Sequence, residues 1–216
     1  MKDAFFIPPV YDGVDALMGD LENFINNDQI KVPHLIRIAI AHYQFETIHP
    51  FLDGNGRLGR LLITLYLVQT NKLRKPTLYL SDFFSKHKHL YYDNLMKVRL
   101  DSNMTQWIKF FLVAIIETSD NGIATFKKIM ALRERIIIHI LPQLGRKLPL
   151  ATAFINYLYS NPVVSALTVE EDMHISKPTA NALISDFERL GILKEKTGLK
   201  KNRLYGFEEY LRLFEA

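Results

Sequence analysis

Residues 49–60 read His-Pro-Phe-Leu-Asp-Gly-Asn-Gly-Arg-Leu-Gly-Arg, and they gather the groups of this chain best suited to chemistry on a phosphate. A Gly-Asn-Gly run at a helix start lets the backbone approach a ligand and turn its N–H groups toward one point. The first amides of a helix lack internal partners, and the dipole places about +0.5 charge there. Such a turn suits a phosphate group. Arg57 and Arg60 are three residues apart, so both can project to one side of that helix and bind a polyphosphate with charge-assisted bonds. Asp53 beside the turn would repel phosphates directly. It is better read as a ligand for Mg²⁺, which is usually held by one or two carboxylates plus phosphate oxygens. His49, at the other end of the loop, is the only side chain in the segment whose ordinary pKa suits proton abstraction near neutral pH. Each feature alone has a plain account: a loop histidine, a turn, a solvated arginine face. Their joint occurrence within one short segment favours the chemical account.

Helices must position this segment. Val14, Leu17, Met18, Leu21, Phe24 and Ile25 recur at helical spacing, with Asp12 as a candidate cap and residues 26–28 as the end. Pro33 fits the first turn of a second helix running to about Ile48, with Leu35, Ile36, Ala39, Ile40 and Phe45 inward. Pro50 and Gly54 force a break, and a third helix is predicted from Asn55 to Gln69. Ser81 or Asp82 can cap a segment leading to Tyr91, Leu95 and Val98. Trp107, Phe110, Phe111 and Ile115 form the buried stripe of the next helix, which Asn121-Gly122 is expected to break or kink. Pro142 to Pro149 carries two prolines and a glycine and is expected to be a linker. Beyond it, three short helices are predicted, the last capped by Ser176 and ended by Gly191. A hairpin follows over Ile192 to Lys196 and Asn202 to Phe207. Three helices and a hairpin describe a winged helix-turn-helix.

The chain has 216 residues, 48% apolar and 23% charged, which is ordinary globular composition. Its formal net charge of +4 permits a nucleotide or nucleic-acid partner without demanding one. With no cysteine, disulfides, thiol catalysis and zinc–thiolate or iron–sulfur sites are excluded. His42 and His49 are seven apart, His87 and His89 two apart, and no His-Glu-x-x-His occurs, so a metal-hydrolase reading fails. His42 reads as a buried, hydrogen-bonded helix residue. The longest apolar run, Phe110 to Ile116, is far short of a membrane span, and the N-terminus lacks the pattern of a signal peptide; a cytoplasmic location without membrane contact is expected.

The segment 49–60 resembles the Fic signature, His-Pro-Phe-x-(Asp/Glu)-Gly-Asn-Gly-Arg-x-x-Arg, at every defined position. Phe6-Ile7-Pro8-Pro9, His42 to Ile48 and Tyr91-Tyr92-Asp93-x-Leu95 are also similar to Fic-family segments, so the resemblance covers roughly residues 4 to 140. It implies a mainly α fold, a Fic-type helical bundle over 1–141, followed by the linker 142–149 and a small winged helix domain with a β-hairpin wing over 150–216. It implies transfer of AMP from ATP to a Tyr, Thr or Ser hydroxyl of a target protein, with Mg²⁺. His49 would be the general base. Gly54, Asn55 and Gly56 would form the anion hole, and Asp53 would hold Mg²⁺. Arg57 and Arg60 would bind the outer phosphates, and Arg60 could also pair with an inhibitory Glu. Phe51 would pin the loop into the core. Tyr92, and less so Tyr91, would line the adenine pocket, with aromatic core packing as the alternative. The Gly at 56 favours AMP transfer over the kinase chemistry of relatives with a bulkier basic residue there; other nucleotide or phosphocholine-type donors stay open.

Two family features are missing. Phe6, Ile7 and Pro8 are similar to the second strand of a flap that docks the target by strand addition. The first strand would precede Met1, and no inhibitory helix motif is found. A longer parent chain is therefore expected, with ATP binding free of autoinhibition. The partners implied are ATP and a hydroxyl-bearing protein, with room for a homodimer that modifies itself. The alternative is a DNA-binding regulator or protein-interaction module working through the second domain. Its recognition helix would offer Lys177, Thr179, Asn181 and Arg189, and its wing Lys194, Lys196, Lys200, Lys201 and Arg203. From residue 150 onward, however, eight basic residues face nine acidic ones, a balance of −1. DNA affinity comes mainly from neutralising phosphates, so DNA is weakly supported and a protein partner at least as well.

Overall fold

The computed structural model describes residues 7–214. The chain divides into two compact units, Met1–Gly122 and Ile123–Ala216. The first is helical: α1 (Val14–Asn26), α2 (His34–Ile48), α3 (Asn55–Gln69), α4 (Leu80–Lys86), α5 (Lys88–Asp101) and the opening turns of α6 (Met104–Arg135). Helix α2 is covered on most sides, burying Ile38, Ala39, Ala41, Tyr43, Phe45 and Ile48. Trp107 and Phe111 are fully buried against it, and the Trp107 indole N–H donates to the Ala39 carbonyl at 2.8 Å. Burying a side chain of that kind contributes roughly 1.5–3 kcal/mol. At the other end, buried Arg37 donates to the carbonyls of Phe24, Ile25, Asn27 and Ile30. It thereby closes the C-terminus of α1, where helical carbonyls run out of partners and a cation is favoured.

Several boundaries differ from the sequence expectation. Asp12 lies inside a 3₁₀ turn, Tyr11–Gly13, and makes no capping bond. Pro33 is the N-cap of α2 rather than its first residue. Helix α4 starts at Leu80 without a side-chain cap, so neither Ser81 nor Asp82 caps it. Asn121-Gly122 does not interrupt α6, which runs for 32 residues. One mid-helix glycine costs about 1 kcal/mol, too little to end a long, otherwise periodic helix. The stretch expected as a linker is largely a 3₁₀ segment, Leu141–Lys147, kinked at Gly145, which takes φ 51. Its prolines stand in the first turns of helical segments, where a missing N–H costs nothing. Leu132, Ile136 and Leu141 belong to the second core, which is why the compact units divide at 122–123 and not at 142–149.

The second unit holds α7 (Leu148–Leu158), α8 (Ala166–Asp172), α9 (Lys177–Arg189) and α10 (Glu208–Leu211). Ser165 caps α8 through a capping box with Thr168, and Ser176 caps α9. Phe154 meets Phe187 edge-on at 4.6 Å between centroids, in a core with Leu158, Val169 and Ile184. Strands β1 (Val163–Val164), β2 (Lys194–Glu195) and β3 (Tyr205–Gly206) form an antiparallel sheet in the order β1-β3-β2. The β2–β3 hairpin is the expected small wing. Strand β1 has no clear sequence signal at two residues long. The fold is mainly α, with this small sheet as its β component.

Candidate active site

The loop between α2 and α3 follows from local rules. A residue before proline avoids the helical region. His49, before Pro50, leaves α2 in the left-handed conformation (φ 52, ψ 56), its N–H still bonded to the Phe45 carbonyl at 3.0 Å. Gly54 enters α3 with φ 85, which a side chain would strain. Asn55 ties the loop shut: its Oδ1 accepts the Phe51 N–H at 3.0 Å and its Nδ2 donates to the Phe51 carbonyl at 2.6 Å. Asn55 is 2% exposed and Phe51 50%. The expectation that Phe51 pins the loop into the core is therefore corrected: an amide side chain offers both a donor and an acceptor to the backbone, and here it does the pinning. With its side chain so committed, Asn55 has its backbone N–H, with that of Gly56, left at the open end of the helix.

His49, Gly56 and Tyr92 line one cleft of ≈ 610 Å³. Tyr92 is exposed on α5, whereas Tyr91 is buried with its hydroxyl 3.0 Å from His42 Nε2, a core role. Asp53 and Arg57 stand outside that lining, both exposed. Asp53 Oδ1 accepts the Gly54 N–H at 2.7 Å, and its Oδ2 lies 3.4 Å from Arg57 Nη2. Arg60 donates its Nε–H to Ser81 Oγ at 2.9 Å. A methyl group added at Gly56 would stand 3.2 Å from Arg60 Nη1, so that guanidinium reaches over the first turn of α3. Ile7 and Pro8 are exposed and in no strand, and Phe6 lies outside the described residues.

The remaining lining is Glu46, His89, Asp93, Leu95, Met96 and Arg99. Sequence reasoning assigned none of these to the site, though helical spacing signals them. Glu46 precedes His49 by three residues, and His89, Tyr92, Asp93 and Met96 recur at three, four and seven. Gly59 was also missed. A methyl group there would fall 2.5 Å from Glu46 Oε1, 3.1 Å from His42 and 3.2 Å from Phe45, so bare backbone is what lets α3 lie against α2. Behind the cleft, His42 is completely buried, with Nδ1 3.0 Å from the Gly59 carbonyl. Burial pushes its pKa down to about 4, helped by the charge of Arg60 and opposed by that carbonyl. This matches the sequence reading of His42 as a structural residue. Burial raises the Glu46 carboxyl, with Arg60 and Arg99 pulling the other way. Its Oε1 has no hydrogen-bond partner among the described residues.

A second cavity, ≈ 640 Å³, lies around Asp28, Lys31, His34, Arg37 and Tyr66. It shares no residue with the loop 49–60, and the bonds of Arg37 there are structural. Among the described residues, no group of three or more His, Asp or Glu is placed to hold a metal, and no helix is long and apolar enough to cross a membrane.

This unit is a helical domain in which α2 and α3 are joined by a glycine-containing turn. Residues 2–67 match the profile described as Fic/DOC family. The chain is similar to the protein adenylyltransferase Fic of Culex quinquefasciatus, with 33% identity over 115 residues, 53% of this chain and 22% of that protein. The Aedes aegypti protein of the same name is 31% identical over the same shares. The chain thus spans about a fifth of the length of these curated relatives. A crystal structure of a Fic family protein from Desulfovibrio desulfuricans G20 covers 93% of this chain and 56% of its own, with a TM-score of 0.50 and 21% identity, a likeness of fold.

Proposed function

We propose that this chain transfers AMP from ATP to a Tyr, Thr or Ser hydroxyl of a target protein. The observation that carries the reading is that His49 and Gly56 line one cleft at the open end of α3. His49 takes the proton of the target hydroxyl. The hydroxyl oxygen forms a bond to the α-phosphorus, the bond from that phosphorus to the bridging oxygen breaks, and pyrophosphate leaves. The backbone at Gly54, Asn55 and Gly56 faces the α- and β-phosphates, and Arg57 and Arg60 neutralise the outer ones. Such transfers need positioning and charge neutralisation more than covalent help from the protein.

Tyr92 lines the adenine side. Target docking falls to the segment Phe6, Ile7 and Pro8, whose exposed Ile7 and Pro8 are open to strand addition. Asp53 would hold Mg²⁺. One exposed carboxylate beside a phosphate cradle fits a metal that arrives with its nucleotide, and it would supply charge neutralisation between the phosphates. We place the reaction in the cytoplasm.

Incubation with Mg²⁺, lysate and ATP labelled at the α- or the γ-phosphate tests this reading. Label on protein from the α position alone is expected. Label from the γ position would make the chain a kinase, and none from either would refute transfer.

DNA binding through the second unit is the rival. Lys177, Asn181, Arg189, Lys194, Lys196, Lys200, Lys201 and Arg203 are all exposed, which favours it. Against it, Lys196 pairs with Glu208 at 2.6 Å, and Arg189 with Asp186 at 3.2 Å. A protein partner for this unit is the better-supported use. Salt-dependent binding of duplex DNA by the full chain, lost on replacing Lys200 and Lys201, would reverse that preference.

A further inference from the structure

We propose, on top of the nucleotide-transfer reading, that Ser81 is a positioning residue: it takes the Nε–H of Arg60 and thereby commits the Nη edge of that guanidinium to the phosphate cradle. The hydroxyl oxygen is 2.9 Å from Nε. Ser81 stands in the first turn of α4, where a serine would be expected to cap, yet α4 has no side-chain cap. Its neighbours Leu80, Phe83 and Phe84 are buried, so the hydroxyl sits on a fixed base.

Arg60 extends from α3 so that Nη1 would come 3.2 Å from a methyl group at Gly56. A guanidinium presents its five donors on rigid edges. With the Nε–H occupied by Ser81, the two Nη groups remain to grip a phosphate in the paired geometry that guanidinium groups favour. Glu46 lies buried beside Gly59, behind the first turns of α3, with its carboxyl pushed up by burial against the opposing charges of Arg60 and Arg99. Ser81 supplies a neutral acceptor on the α4 side and keeps the side chain extended. Without it, each binding event must order a long, mobile side chain, a loss of about 3- to 10-fold in affinity.

The test uses the full chain, with Ser81→Ala and Ser81→Thr, and titrates MgATP and AMP calorimetrically. Ser81→Ala is expected to weaken MgATP by about 3- to 10-fold and to leave AMP unchanged, because AMP lacks the outer phosphates. Ser81→Thr, which keeps the hydroxyl, is expected to bind as the wild type does. A second readout needs no nucleotide: the Arg60 Nε–H should exchange slowly by NMR in the wild type and the Thr variant and rapidly in Ser81→Ala. Unchanged exchange in Ser81→Ala overturns the contact. Changed exchange with equal MgATP affinity, or equal weakening of MgATP and AMP, overturns positioning and leaves a structural bond. A wild type that binds neither nucleotide sinks the transfer reading itself, and the positioning role with it.

Discussion

His42 within helix α2 and His49 at its C-cap are seven residues apart, and their surroundings are opposites. His42 is wholly buried, lies near-parallel to Phe84 and Trp107 with ring centroids 5.9 Å away, and has both ring nitrogens engaged, by the Gly59 carbonyl and the Tyr91 hydroxyl. His49 sits at the exposed end of the helix in a left-handed turn, and its ring makes no hydrogen bond among the described residues. Burial removes His42 from proton chemistry at neutral pH by penalising its cation. One residue type is therefore packed into the core in one place and lines the cleft in the other, and solvent access separates the two.

The strongest way to break this contrast is to exchange the consequences. His49→Ala should lower transfer of α-phosphate label by about 10²- to 10⁴-fold while leaving ATP affinity within about twofold. Equal turnover by the variant would remove His49 from the mechanism. Acid should act through the other histidine. Its native pKa of about 4 lies below the ordinary 6.5, so the unfolded chain binds the proton first between those values. Stability should be complete above about pH 6.5 and fall by on the order of 3 kcal/mol as pH drops through that window to about 4. Glu46 works in the other direction, because its raised pKa stabilises the fold at low pH and that contribution fades as pH rises. Urea unfolding of Glu46→Gln between pH 4 and 7 isolates the His42 effect, and a flat profile there would contradict the burial argument.

Packing sharpens the contrast further. Gly59→Ala should cost about 1–3 kcal/mol by thermal or denaturant unfolding, because the added methyl meets Glu46, His42 and Phe45. An unchanged midpoint would mean that α2 and α3 separate easily. The smallest effect belongs to the exposed loop. Asp53→Asn should move stability by no more than about 0.5 kcal/mol, since its pair with Arg57 is solvent-exposed. It should nevertheless raise the Mg²⁺ concentration needed for label transfer. A large stability loss instead would assign Asp53 to the fold.

Much of the first unit was legible in the residues. Helix α3 starts and ends where periodicity and the Gly-Asn-Gly turn place it, and α2 ends before Pro50 as the backbone rule requires. His42 reads as a buried, hydrogen-bonded helix residue once the histidine spacings fail to give a metal site. What escaped were facts that depend on a partner element. Asn121-Gly122 reads as a break until the periodic stretches on either side carry the helix through. Phe51 reads as an anchor until Asn55 is seen to hold both polar groups of its backbone. Ser81 reads as a cap until Arg60 reaches it from another helix.

By itself the sequence determined the loop chemistry: a proline that ends one helix, glycines that open the next, and an imidazole and two guanidinium groups within twelve residues of each other. These are local consequences of dihedral limits and of the unpaired amides at a helix start. Tertiary structure decided which acid and which hydroxyl stand behind those groups, that Gly59 must be bare, and that Tyr91 goes to the core while Tyr92 faces the cleft. Those choices depend on how α2, α3, α4 and α5 approach one another, and packing across distant segments leaves no periodic trace in any one of them.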